Sequence, residues 1–228
     1  MKKFLTLKGL IGVVLVGRLV ALIGIFAPLV LDPALATKMY MTARLHAPDG
    51  AHLLGTDQLG RDLLVRVLMG ARTSLEIAVT AVVISIVLGL PLGMISGYAG
   101  GWVDNVLMRL VDTLLAFPAL LLALTISAVL GPNIQNTIIA IGVAFTPFLA
   151  RIIRGEALRV TQMPYVEAAR AAGTTNLAML VRHILPNILP VLIVQGTISL
   201  AFAILAEAGL SFLGLGTQPP AASWGLMN

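Results

Sequence analysis

The chain has 228 residues, of which 58% are hydrophobic and only 11% charged, and its formal net charge is +5. Soluble domains carry about 25% charged residues, so this composition indicates an integral membrane protein. The basic residues lie at the ends of apolar stretches rather than along one stripe, which argues against nucleic-acid binding. Because the sequence contains no cysteine, it excludes disulfides, thiol catalysis and cysteine-ligated metals.

The first apolar stretch, Leu10–Leu31, is long enough to cross a bilayer, which takes about 20 apolar residues. Three lysines precede it, as in a signal peptide, but the apolar run is too long and no small-residue cleavage site follows. We therefore predict a retained span within residues 1–31. Arg18 falls inside it, and snorkelling towards the lysine-rich side reduces the cost of its charge.

Residues 32–76 are polar and are predicted to form an external loop that ends in an interfacial helix. The loop contains GTDQLGRD at residues 55–62. The following LLVRVLMGARTSL has apolar residues at helical spacing and charges at Arg66 and Arg72, a pattern typical of an amphipathic helix at the membrane surface.

Residues 77–206 are predicted to form the core of an all-α, polytopic helical bundle. After a span that bends or ends near Pro91, SGYAGGWVDN is predicted to be a short turn, and Pro118 is predicted to interrupt the next span. The four spans of this core are predicted at residues 77–95, 112–130, 134–150 and 184–206. Residues 207–228 form an external tail, so that five spans are visible and the chain stops before an expected sixth.

The distribution of Lys and Arg predicts the orientation. The N-terminus has three lysines and no acid. Four of the five predicted spans precede residues 151–183 and place them on the same side as the N-terminus. Five arginines and two glutamates leave this segment a balance of +3. The loop at residues 32–76 falls outside and has five basic and five acidic residues, a balance of zero. Both observations predict a cytoplasmic N-terminus.

Two acidic residues near span ends are candidates for a pathway or gating role. Asp112 is predicted to begin the third span, where it complements the helix dipole and pairs with Arg109, and this capping role is the favoured interpretation. Glu207 follows an apolar run, and the sequence does not distinguish a pathway residue from an interfacial one.

The sequence shows no catalytic or metal-binding motif. His46 and His52 share the outer loop with two aspartates, but a spacing of six residues fits no standard metal-ligand pattern. No lysine follows a glycine, as a phosphate-binding Walker A loop requires, and HExxH and GxSxG are absent. We therefore predict no catalytic residues, no metal and no cofactor bound by this chain.

The polar, alanine-rich segment EAARAAGTTNLAMLVRHILPNILP begins at Glu167. Helical pieces are predicted at Gly155–Arg159 and Tyr165–Ala172, the latter closed by Gly173 as a C-cap, and a third at Asn176–Arg182 runs into the next span. A purely connecting loop of this length is uncommon, whereas a short helix that fits a partner's groove is a known mode of recognition.

This segment resembles the cytoplasmic coupling segment of permease subunits from bacterial binding-protein-dependent ABC importers. The resemblance rests on EAA at 167–169, Gly173 and RHILPN at 182–187, the last being similar to the peptide and nickel branch. Three further stretches agree in order, GTDQLGRD, LAFPALLLA at 115–123 and GLSFLGLGTQPPAASWG at 209–225. Together they cover most of the chain after residue 50, and they are most similar to the second permease of dipeptide and oligopeptide importers.

The resemblance implies a single transmembrane permease domain over residues 1–228, with the coupling segment at 155–183, in the bacterial cytoplasmic (inner) membrane. Its partners would be a homologous permease, two ATPase subunits that bind ATP and Mg²⁺, and an extracytoplasmic substrate-binding protein. The residues implied to dock on an ATPase subunit are Glu167, Ala168, Ala169 and Gly173.

The sequence leaves other functions open. Within the importer family, the substrate could be nickel, glutathione or another small solute instead of a peptide. A secondary transporter would need coupling-ion acids at mid-membrane, whereas Asp112 and Glu207 are predicted at span ends. The absent sixth span also leaves open an inactive or assembly-only subunit.

Overall fold

The computed structural model describes residue 22 and residues 33–227, so the predicted first span at Leu10–Leu31, with Arg18, lies outside the described residues apart from Leu22. The described helices are α1 (Leu63–Ala99), α2 (Gly101–Leu115), α3 (Ala119–Leu130), α4 (Ile134–Thr161), α5 (Pro164–Ala171) and α6 (Asn176–Phe212). Short 3₁₀ turns occupy Pro33–Ala36, Met41–Ala43 and Gly225–Met227. Within this described part, β structure is limited to one bridge between Thr56 and Asp62.

Three of these helices, α1, α4 and α6, are long and apolar enough to cross a membrane. Helices α2 and α3 form a fourth candidate if they are taken as one span with a break, at which they bend by 85°. The prediction of an all-α polytopic membrane protein is confirmed. The predicted total of five spans stays a prediction.

Helix α1 corrects the prediction of an interfacial helix separate from the second span. Its 37 residues run without interruption and measure about 55 Å, more than the hydrocarbon core of about 30 Å. Asp62 caps its first turn by accepting a hydrogen bond from the Val65 backbone N–H at 3.0 Å. Pro91, near which the span was predicted to bend or end, lies inside the helix and does not end it.

The predicted turn SGYAGGWVDN is also wrong, because only Gly100 separates α1 from α2. Gly100 and Gly101 have φ angles of 62° and 56°, a left-handed conformation that glycine adopts without a steric penalty. Pro118 does interrupt the helical stretch that follows, as predicted. However, this stretch begins at Gly101 rather than near Asp112.

The predicted span 134–150 and the helical piece at Gly155–Arg159 prove to be one helix, α4. The predicted Asn176–Arg182 piece does run into the next span, as part of α6. A π-helical stretch, Met179–Ile184, lies between its first turn and Leu185.

The chain divides into two compact units, one of which is Ala78–Glu207. Glycines on α1 allow its backbone to approach α4 closely, and a Cβ built on Gly93 would lie 2.5 Å from the Ala150 carbonyl oxygen. The main buried cluster of this unit comes from α1, α4, α5 and α6. Its members are Met94, Leu149, Ile153, Ala157, Val160, Val166, Met179, Ile184, Ile188 and Leu192.

The other unit combines the described residues up to Ile77 with those from Ala208 onward. Arg66, predicted to be a surface charge, is 3% exposed and donates a hydrogen bond to the Ala36 carbonyl at 3.2 Å. The tail folds onto the first turns of α1, where the Trp224 backbone N–H donates to Ser74 Oγ at 3.2 Å and its indole N–H to the Val67 carbonyl at 3.1 Å.

Candidate functional site

Helix α5 is a short, solvent-exposed helix with defined ends. Pro164 occupies its first turn, where its missing N–H costs no hydrogen bond. At the other end Gly173 N–H donates to the Arg170 carbonyl and Thr174 N–H to the Ala169 carbonyl, at 3.0 and 3.1 Å. This pair of bonds is a Schellman motif, and Gly173 has the φ of +81° that the motif requires. The prediction that Gly173 closes this helix is confirmed.

One face of α5 is fixed to the protein and the opposite face is free. Val166 is fully buried in the main cluster, and Ala169 is half-buried against it. Glu167, Ala168 and Gly173 are exposed. The structure therefore presents three of the four predicted docking residues outward and turns Ala169 towards the core.

Tyr98, in the last turns of α1, holds the segment that follows α5. Its hydroxyl donates a hydrogen bond to the Asn176 side-chain oxygen at 2.8 Å. The Arg170 guanidinium lies 5.7 Å from the centre of the Tyr98 ring, within range of a cation–π contact. Sequence reasoning missed this residue, because it placed Tyr98 in a turn.

A second group that the sequence did not reveal joins α1, α2 and α4. Asp104 is 9% exposed and accepts two hydrogen bonds from the Arg154 guanidinium, both at 2.6 Å, and a third from the Ser96 hydroxyl. Two parallel bonds from one guanidinium fix direction as well as distance. The cluster therefore ties the last turn of α1 and the first turn of α2 to α4.

Asp112 does not begin a helix, so its predicted role as an N-terminal cap is wrong. It lies in the last turn of α2 and pairs with Arg151 on α4, rather than with Arg109. Both side chains are 54% exposed, so the pair contributes about 1 kcal/mol or less. An open cavity of about 830 Å³ lies beside it and is lined by Asp104, Arg109, Asp112 and Arg154 among others. The pathway or gating role of Asp112 remains a prediction.

Glu207 is fully buried on α6, and both roles that the sequence left open for it, a pathway residue or an interfacial one, stay predictions. Its neighbour Ala206 lines an apolar groove of about 480 Å³. The walls of this groove come from the bend between α2 and α3, from α4 and from α6. Two polar side chains on α6, Gln195 and Ser199, also line it.

The histidines of the outer loop make local contacts. His52 Nδ1 lies 2.9 Å from an Asp62 carboxylate oxygen, and His46 Nδ1 lies 3.6 Å from Asp49. Over residues 33–227, no group of three or more histidine, cysteine, aspartate or glutamate side chains is arranged to hold a metal ion.

Comparison with known proteins identifies the family. Residues 89–228 match the model of a protein family described as "Binding-protein-dependent transport system inner membrane component". A putative peptide transport system permease protein of Brucella suis is 49% identical over 219 residues, which cover 94% of this chain and 72% of the relative. A dipeptide transport system permease protein of Alkalihalophilus pseudofirmus is 40% identical over 218 residues, 96% of this chain and 71% of the relative.

The chain belongs to the family of inner-membrane permeases of binding-protein-dependent transport systems. Its fold is also similar to a chain of the MetNI methionine ABC transporter in an inward-facing conformation, with a TM-score of 0.59 and 23% identity, over 72% of this chain and 77% of the other. The matched family region includes the permease's α4, α5 and α6. The function of the permease is therefore membrane transport as one subunit of a binding-protein-dependent system.

Proposed function

We propose that this chain is the permease subunit of an ATP-driven importer of dipeptides or oligopeptides, and that α5 is its docking helix for an ATPase subunit. The names of the Brucella and Alkalihalophilus relatives support a peptide substrate. ATP and Mg²⁺ would be bound by two partner ATPase subunits. A homologous permease would complete the pathway and an extracytoplasmic binding protein would deliver the peptide.

The observation that carries this proposal is the two-sided construction of α5. Glu167 and Ala168 are exposed, while Val166 on the opposite face is fully buried in the core of the spans. Small alanines allow close approach of another backbone, and the glutamate carboxylate offers an ion pair that fixes the register. A helix built in this way transmits a push from a partner to the protein instead of flexing.

The connections of α5 to the membrane helices are short and well fixed. Only Gln162 and Met163 separate it from α4, and Met163 packs against the main cluster. Tyr98 joins the segment after it to α1. A movement of α5 would therefore displace α4 and α1 together. A switch of this kind requires that the ATPase subunits contact α5 differently in their two states.

We further infer that α5 and the N-terminus are cytoplasmic and that residues 1–228 form one transmembrane permease domain in the inner membrane. Its parts would be the first span (1–31), an external segment (32–76), the transporter core (77–206) and an external tail (207–228). The arginines of residues 151–183 support this orientation.

Cysteine accessibility tests both the orientation and the docking, because the chain has no native cysteine. Ala168→Cys places a single thiol on the exposed face of α5. Ala169→Cys is a matched control, since it is the same substitution on the neighbouring, half-buried position. Each variant is labelled with a membrane-impermeant maleimide in vesicles of both orientations, with and without the ATPase subunits.

We expect Cys at position 168 to react only from the cytoplasmic face and to be protected when ATPase subunits are present. Cys at position 169 should react slowly in every condition. Labelling from the external face would contradict the orientation. Cytoplasmic labelling without protection in an assembled complex would contradict the docking role. Uptake of a radiolabelled dipeptide by the complete complex, compared with Ni²⁺ uptake, tests the substrate.

A further inference from the structure

Two polar side chains in the apolar groove have no hydrogen-bond partner within the described part of the chain. Gln195 and Ser199 lie one helical turn apart on α6, and they are only 9% and 7% exposed. Their surroundings are mainly hydrophobic, including Phe145 and Phe148 of α4 and Phe202 of α6.

Nearby residues show that an internal partner is readily available at such positions. The Thr197 hydroxyl donates to the Ile193 carbonyl at 2.9 Å, and the Thr146 hydroxyl on α4 donates to the Gly142 carbonyl at 2.8 Å. Ser199 could bond in the same way to the carbonyl four residues earlier, but it does not. Among the described residues, the only fully buried side-chain polar atom without a partner is Ser223 Oγ, so the polar groups of Gln195 and Ser199 stay accessible from the groove that they line. A ligand in the groove can therefore complete their hydrogen bonds.

We propose that Gln195 and Ser199 bind the main-chain amide of a peptide during its passage through the membrane. This inference rests on the proposed function and adds to it the point at which the substrate is recognised. A glutamine side chain both donates and accepts hydrogen bonds, as does a serine hydroxyl, so the pair matches the N–H and C=O that every peptide bond presents. Recognition through the main chain accommodates peptides of different sequence.

The rest of the groove fits the same ligand. Its volume of about 480 Å³ lies within the roughly 300–1,000 Å³ of small-molecule sites. The exposed rings of Phe117, Phe148 and Phe202 provide apolar walls for side chains without selecting among them by charge. A polar helix of the second permease is the other possible occupant, and the experiment below distinguishes the two.

The first test places a thiol in the groove of the complete complex. Ser199→Cys keeps the size of the side chain, and Thr197→Cys is the matched control because Thr197 is an exposed residue of the same helix that does not line the groove. The probe is a tripeptide that carries a bromoacetyl group on its central side chain. Adducts on this chain are identified by mass spectrometry after ATP-driven turnover with the binding protein present.

We expect a peptide adduct at position 199 and none at position 197, and competition by an unmodified tripeptide should abolish it. If the complex imports the tripeptide and position 199 never reacts, the proposal is wrong. A cross-link from position 199 to the homologous permease, made with a short bifunctional thiol reagent, would also overturn it, because the groove would then be a subunit interface.

The second test measures uptake. Gln195→Met preserves the length of the side chain and removes its hydrogen-bonding groups, so tripeptide uptake at equal amounts of assembled complex should fall about tenfold. Thr197→Val should leave uptake unchanged. Unchanged uptake in the Gln195→Met complex would refute this proposal and leave the proposed function standing. If the wild-type complex imports no peptide, the proposed function fails and this inference fails with it.

Discussion

Replacing Gly93 with alanine should force α1 and α4 apart. The added Cβ would lie 2.5 Å from the Ala150 carbonyl oxygen, 2.8 Å from Ile153 Cβ and 2.9 Å from the Arg154 backbone nitrogen. Two of these atoms belong to the backbone and the third is directly attached to it, so none moves by a simple rotamer change. To reach the 3.0 Å limit of real Cβ contacts, the helices must separate by at least about half an ångström.

The cost of such overpacking is about 1–3 kcal/mol. Gly155→Ala is the matched control, since nothing lies within 4 Å of its added Cβ on the exposed side of α4. Both changes carry the same gain in helix propensity, about 1 kcal/mol, so the difference between the two variants isolates the packing cost. We expect the Gly93→Ala protein to be less stable than the Gly155→Ala protein by about 1–3 kcal/mol.

The free energy of unfolding is measured by titration of the purified protein with SDS in mixed micelles, followed by circular dichroism. Equal stability of the two variants, or greater stability of Gly93→Ala, would refute the close approach of α1 and α4.

Three further predictions test other parts of the structure. Asp104→Asn removes the charge that holds Arg154 and should lower the free energy of unfolding by about 2–3 kcal/mol. Asp112→Asn breaks an exposed ion pair and should lower it by less than about 1 kcal/mol. Equal losses in the same SDS titration would contradict the stronger role assigned to the buried Asp104. Gly173→Ala puts a side chain at a φ of +81°, so it should destabilise the end of α5 by about 1–2 kcal/mol. The loss should be visible as faster amide hydrogen exchange in α5. Unchanged exchange would show that the C-terminal cap of α5 is unimportant. Burial raises the pKa of Asp57, but the hydrogen bonds from Arg61 and from the Leu59 backbone N–H outweigh this effect and hold the pKa below its ordinary value of 3.8. The stabilisation that the charged carboxylate gives to the folded loop is therefore fully present above pH 3.8 and is lost as the pH falls through the lower folded-state pKa. Amide protection in the loop at 55–62 should accordingly decrease on acidification in the wild type but not in Asp57→Asn.

The parts of the structure that sequence predicted correctly depend on local chemistry. The end of α5 follows from Gly173, because a left-handed residue closes a Schellman motif wherever it falls in the chain. The break near Pro118 agrees with the missing N–H of proline, which weakens a helix locally without always ending it, as Pro91 and Pro147 show. The membrane class follows from composition alone.

Two of the errors come from charges whose partners are distant in sequence. Arg66 and Arg72 suggested a helix on the membrane surface. However, Arg66 is buried, donates a hydrogen bond to the Ala36 carbonyl oxygen, and has its Nε 3.5 Å from an Asp57 carboxylate oxygen. Asp112 was assigned to its neighbour Arg109, whereas its partner Arg151 is 39 residues away. Local spacing carries no information about such contacts.

The π-helical stretch Met179–Ile184 has a physical cause that the sequence hints at only weakly. Pro186 follows it, has no N–H to donate, and in an α-helix its ring would press against the Arg182 carbonyl. A wider turn relieves this contact. Proline alone does not specify this outcome, because Pro91 and Pro147 lie inside α1 and α4, which remain α-helical.

The most direct test of the central claim, that α5 is the contact through which ATPase subunits drive this permease, is a bulky substitution on its exposed face. Ala168→Trp should leave the permease folded, because the side chain points to solvent. Ala128→Trp, the same substitution at an exposed alanine of α3 outside the coupling segment, is the control.

Co-purification of the ATPase subunits and ATP-dependent dipeptide uptake are measured for both variants in the complete complex. We predict that Ala168→Trp loses the ATPase subunits and uptake while it retains the homologous permease, and that Ala128→Trp behaves like the wild type. An Ala168→Trp complex that keeps its ATPase subunits and imports dipeptide at the wild-type rate would contradict the claim.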